Sequence, residues 1–199
     1  MKTILPQDVS PLSIKYGIPI IVRPGFNNAF FVRPSNTPVK MPENTTPMVR
    51  DIVKLKNEPT GGIVVGESLL NPTTIAHEVG HSKDTNPISR MAPTVNSIWD
   101  TYKVPLLGTI GASIAGMVFP QYRRPLALAN LGVQALSMAP TLYSEYKASE
   151  IAKELDPSVD KEQLNTMYKS YLSNLTAKRL AIPLAIHTAN EVYSQIFGE

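Results

Sequence analysis

The chain has 199 residues, of which 43% are apolar and none is cysteine. That is enough apolar material to bury a core, and it excludes disulfides and thiolate metal ligands. The formal charge is only +3, and the lysines and arginines are scattered, which argues against nucleic acid as a partner.

Met1-Lys-Thr-Ile-Leu-Pro6 leads into Gln7 and Asp8 without the apolar stretch of a secretory signal, so any membrane entry has to be directed by internal segments. Residues 1–60 are rich in proline and read as an extended N-terminal region. Within it, the apolar runs 17–22 and 29–32 flank Arg23-Pro-Gly-Phe-Asn27-Asn28, which predicts strand, turn and strand in a β-hairpin. Together with Ile63 to Val65 this hairpin can form a small sheet. Its edge is suited either to receive an extended peptide or to serve as a lid on the core. Residues 34–48 read as a loop or linker.

Gly61-Gly-Ile-Val-Val-Gly-Glu67 is a short β-branched strand, and Asn71-Pro72-Thr73-Thr74 supplies a helix cap and a proline suited to the first turn. The helix so started carries His77-Glu78-Val-Gly80-His81, an H-E-x-x-H pattern, in a chain with three histidines in all. At 3.6 residues per turn His77 and His81 share a face and can bind one metal ion. Glu78, rotated by roughly 100°, can act as a general base on a water without taking a coordination position. A catalytic zinc site uses three protein ligands, so a third has to be found downstream. His187, within an apolar run, reads better as a hydrogen-bonded core histidine.

Residues 104–119 and 126–143 are free of charge and flank Gln121-Tyr-Arg123-Arg124-Pro125, which predicts an apolar helical hairpin over 104–143. Gly108, Ala112 and Gly116 recur at four-residue spacing and would let two helix backbones approach closely. The hairpin favours a membrane-associated or integral membrane protein in contact with lipid, with the arginine pair on the cytoplasmic side, over a soluble cytoplasmic one. Against spanning, each segment barely reaches the length needed, and the second contains Asn130, Gln134 and Pro140.

Glu145 follows on the same predicted helix, one turn before Ser149 on the same face, and is the expected third metal ligand. The order H-E-x-x-H, two apolar segments, then Pro140-x-x-x-x-Glu145-Tyr-x-Ala148-Ser149 resembles the neutral zinc metallopeptidases of the bacterial membrane-protein type. It is more distantly similar to gluzincins with an E-x-x-A-D second motif. The resemblance covers residues 61–156 and implies a zincin-like metallopeptidase domain over 61–199. It also implies Glu145 as third ligand and Ser149 as the residue supporting a metal-bound histidine, here a neutral hydroxyl where the gluzincins carry an aspartate. Glu150 is the alternative ligand.

Asp156-Pro157 ends the ligand helix, and Ser158 or Asp160 caps the next one. Leu164, Met167, Tyr168, Tyr171, Leu172 and Leu175 recur at helical spacing and are read as core, and the stretch after Leu180 is expected to pack on the hairpin. The expected fold is thus α+β and mainly helical. The expected activity is that of a zinc metalloendopeptidase with one Zn²⁺ per chain held by His77, His81 and Glu145, Glu78 as base, and a peptide or protein as substrate. Tyr143, Tyr146 and His187 are the candidates to stabilise an oxyanion. A non-catalytic protein in which zinc staples helices, membrane- or particle-associated, is the alternative reading.

Overall fold

A computed structural model describes residues 11–197, so the leader reading of Met1 to Asp8 lies outside the described residues. The protein is mainly helical with one small sheet. The described residues divide into two compact units, 11–84 with 146–165 and 85–145 with 166–197.

The first unit holds α1 (Pro11–Tyr16), β1 (Ile20–Arg23), β2 (Ala29–Val32), α2 (Pro47–Lys56), β3 (Gly62–Gly66) and α3 (Pro72–Lys83). The last turns of α6 (Arg123–Leu155) and the first of α7 (Lys161–Phe197) complete it. The strand order is β1-β3-β2. β1 runs parallel to β3 with Ile20 opposite Ile63, and β2 runs antiparallel to it with Ala29 opposite Val65. The expected hairpin is therefore not formed: the turn after Arg23 carries the chain across β3 instead of back along β1. The reason lies in β3, whose Ile63, Val64 and Val65 are wholly buried. A strand apolar on both faces is best placed in the middle, where both of its edges pair and both faces are covered.

Alternation along β3 divides the core. Ile63 and Val65 pack with Ile18, Ala29, Ile75 and Val79 on the α3 side. Val64 packs with Val32 and Leu55 on the α2 side. The loop reading of 34–48 gives way at Thr46, whose side chain caps α2 by accepting from the Val49 amide, with Pro47 in the first turn.

After α6, Asp156 forms a buried corner. It accepts hydrogen bonds from Lys15 Nζ, from the Tyr16 hydroxyl at 2.7 Å and from Ser158 Oγ at 2.6 Å. Led by the Lys15 contact, these hold its carboxyl well below the usual carboxylate range. Tyr16 moves the other way, its hydroxyl pKa raised by burial and by this anionic neighbour. A depressed native pKa means that the stabilisation from Asp156 is fully present above the unfolded value of about 3.9 and is lost as pH falls through that value toward the lower native one. Asp156→Asn should therefore lower the melting temperature at pH 7, and thermal melts of variant and wild type should converge progressively as the pH falls below about 4 toward the lowered native value.

The second unit contains α4 (Pro87–Thr101), α5 (Val104–Val118) and the remaining lengths of α6 and α7. α5 and α6 form the expected helical hairpin, reversing at residues 119–122. Gly108 faces Asn130, where a Cβ would stand 3.1 Å from its Oδ1, and Gly116 faces Arg123. The membrane-spanning reading is overturned: among the described residues no helix is long and apolar enough to cross a membrane. α5 has 15 residues, which at 1.5 Å each is about 22 Å against a hydrocarbon core of about 30 Å. The apolar half of α6 is interrupted by Asn130, Gln134, Ser137 and Thr141.

This unit reverses the polarity of the first. Leu107, Met117, Leu128 and Leu136 are exposed, while Thr109, Gln134, Ser137, Thr141 and Arg179 are buried. The stripe on α7 is likewise core only at Leu164, since Tyr171 and Leu172 are exposed. Further along, α7 does lie against α6, through His187 with Asn130 and Glu191 with Arg124.

Candidate metal centre

α3 begins as the sequence requires. Asn71 Oδ1 accepts from the Thr74 amide at 2.9 Å and Pro72 occupies the first turn, where no amide proton is needed. The helix is buried from Thr73 to Gly80, so the motif is held inside a packed element and not on an exposed surface. His77 and Glu78 are 2% and 5% exposed. The imidazoles of His77 and His81, one turn apart, have ring centroids 4.9 Å apart and planes at 85°.

From Tyr146 onward α6 belongs to the same unit as α3, and the two helices touch backbone to backbone. A Cβ built on Gly80 would lie 2.2 Å from the Ala148 carbonyl oxygen. Only glycine permits that approach, and it sets Ser149 beside His77, with Ser149 Oγ 3.2 Å from His77 Nδ1. In the tautomer whose Nδ1–H donates to this hydroxyl, Nε2 is the nitrogen His77 can offer to a metal, and the contact fixes the ring's orientation. Glu145 lies one turn earlier on the same unbroken helix and the same face as Ser149.

His77, His81 and Glu145 form a group able to hold a metal ion, each offering one donor atom, all within 4.8 Å of one another. Tetrahedral zinc with bonds near 2.1 Å needs donors about 3.4 Å apart, so small side-chain rotations suffice to close the set. Two imidazoles and one carboxylate are the donor chemistry of a catalytic zinc site with a remaining position for water. Glu78, next to His77 and on the adjacent flank of α3, is not part of the donor group.

The other sequence candidates go elsewhere. Glu150 pairs with Lys153 at 2.9 Å and is a half-exposed helix carboxylate. Tyr143 accepts from Asn86 Nδ2 at 3.1 Å, and Tyr146 is 49% exposed. His187 Nε2 lies 3.1 Å from Asn130 Nδ2, consistent with the hydrogen-bonded histidine expected from its surroundings, and burial lowers its pKa. Gly80 is the contributor that motif reasoning passes over. Its signal was visible as a glycine inside a buried helix, where it costs about 1 kcal/mol against alanine unless another backbone needs the space.

No protein-family model, curated protein or solved structure matches this chain.

Proposed function

We propose that the protein is a zincin-like metallopeptidase using one zinc ion per chain, bound by His77, His81 and Glu145. The observation that carries this reading is the convergence of those three donors, with the buried Glu78 next to His77 on the helix of the two histidines. The resemblance to neutral zinc metallopeptidases through H-E-x-x-H and the later Glu145-Tyr-x-Ala148-Ser149 supports it.

Zinc, when bound, supplies Lewis-acid polarisation of a carbonyl and lowers the pKa of a water toward neutrality. The chain's own groups do the rest. Glu78 takes a proton from the attacking water and returns it to the departing amine, so that a C–O bond forms as the C–N bond breaks. Its burial on α3 keeps the carboxylate at a fixed position, and Ser149 keeps His77 from turning. β2 is an edge strand in contact with α3, and its outer ladder can take up an extended peptide by backbone pairing.

The test is cleavage of an unstructured polypeptide before and after treatment with a zinc chelator, with the fold followed by circular dichroism. Expected is loss of cleavage on chelation and recovery with one equivalent of Zn²⁺. No cleavage by fully zinc-loaded, folded protein on any unstructured substrate would favour the staple reading instead.

A further inference from the structure

The second unit holds a buried cation whose hydrogen-bond partners among the described residues include no carboxylate. Arg179 on α7 is 2% exposed, and a guanidinium stays charged wherever it is placed. Its hydrogen bonds go to neutral acceptors: Nη1 donates to the Ser137 carbonyl at 2.8 Å and to Ser137 Oγ at 2.7 Å, and Nη2 donates to Asn96 Oδ1. Nε is fully buried with no hydrogen-bond partner. Asp100 acts on the group only through the longer-range Coulomb attraction, and burial opposes the charge more strongly than Asp100 favours it. The face of Trp99 lies 5.6 Å from the guanidinium, with its own Nε1 donating to Gln134 at 3.0 Å.

A buried charge is costly unless it is paired, and a buried donor left unmade adds to that cost. Asp100 and the face of Trp99, both on α4, offset only part of this, and Ser137 and Asn96 hold the fork in one orientation. A rigid guanidinium presented with one edge undonated is the recognition element for a planar oxyanion, which accepts from Nε–H and an adjacent Nη–H together. Asn96 and Trp99, which flank the guanidinium, are themselves only half-buried. We propose that Arg179, with Asn96, Ser137 and Trp99 around it, is a binding site for a small oxyanion of the carboxylate or phosphate type. The site is independent of the metal centre and of the activity assigned to it.

Trp99 is the single tryptophan of the chain and reports on this site directly. The full-length protein is titrated with acetate and with inorganic phosphate, against chloride at equal ionic strength, following Trp99 emission and the melting temperature. Expected is a saturable emission change and a rise in melting temperature with acetate, phosphate or both, at least tenfold below the concentration at which chloride acts. The responding anion identifies the class. Asn96→Asp, which places a carboxylate on the guanidinium from within, should abolish the response and raise the anion-free melting temperature. Arg179→Met should abolish it too. An unchanged response in a folded Arg179→Met protein would overturn the proposal, as would a wild type in which neither oxyanion exceeds chloride.

Discussion

Replacing Glu78 with glutamine is expected to leave zinc bound and to remove peptide hydrolysis. Loss of a positioned general base costs about 10²–10⁴ in rate, and the effect should fall on kcat, because the amide is isosteric and Glu78 is not one of the three donors. Zinc affinity should change by no more than about threefold, well under the 10–100-fold typical of losing a group that supports a ligand. The check is kcat and KM for a peptide substrate alongside zinc content on the same preparation. Full activity with zinc in place would remove Glu78 from the mechanism.

The second large effect is structural and falls two residues away. Gly80→Ala puts a methyl carbon where only 2.2 Å separates it from the Ala148 carbonyl oxygen, with the Ala148 carbonyl carbon and Cα both at 2.9 Å. These are backbone atoms of a helix, so no side chain can swing aside, and α3 and α6 have to part. Overpacking of this kind costs about 1–3 kcal/mol and sometimes more, which for a chain of this size lowers the melting temperature by roughly 2–12 °C. The separation also moves Ser149 and Glu145 away from the imidazoles, so zinc content should fall together with stability. Gly111→Ala on α5 is the matched control: nothing lies within 4 Å of its Cβ, and helix propensity should make it neutral or stabilising by about 1 kcal/mol. Thermal melts and zinc content of the two variants decide the matter.

The parts of this protein that depend on neighbours along the chain could be read before folding. Asn71 and Pro72 start α3, the break at Asp156 ends α6, and the i, i+4 relation places Glu145 and Ser149 on one face. All of these are local, fixed by helix geometry and cap chemistry. The donor group follows from two such local facts plus one long-range one, the contact of α3 with α6, which the family resemblance implies and Gly80 makes physically possible.

The parts that depend on competition between distant segments were not legible. The 23–28 turn suits a hairpin, but β3, some thirty residues on, is the better partner for both strands because it is buried on both faces. The long apolar runs suggested a membrane crossing, whereas the helix breaks near Lys103 and Phe119 shorten α5 below the required length. Lys103 takes a left-handed conformation with φ of 50°, a stop that composition does not reveal. Nor does an apolar stripe say which face is buried: in the second unit Gln134 and Arg179 are inside while Leu128 and Leu136 are outside.

The metal centre is tested most directly by zinc content, measured by mass spectrometry on purified wild type, His81→Ala, Glu145→Ala and Glu150→Ala, each reconstituted with zinc and dialysed. One zinc per chain in wild type and Glu150→Ala, with loss in His81→Ala and Glu145→Ala, is the expected result. A wild type that retains no zinc, or a Glu145→Ala protein that retains it fully, would contradict the three-ligand site.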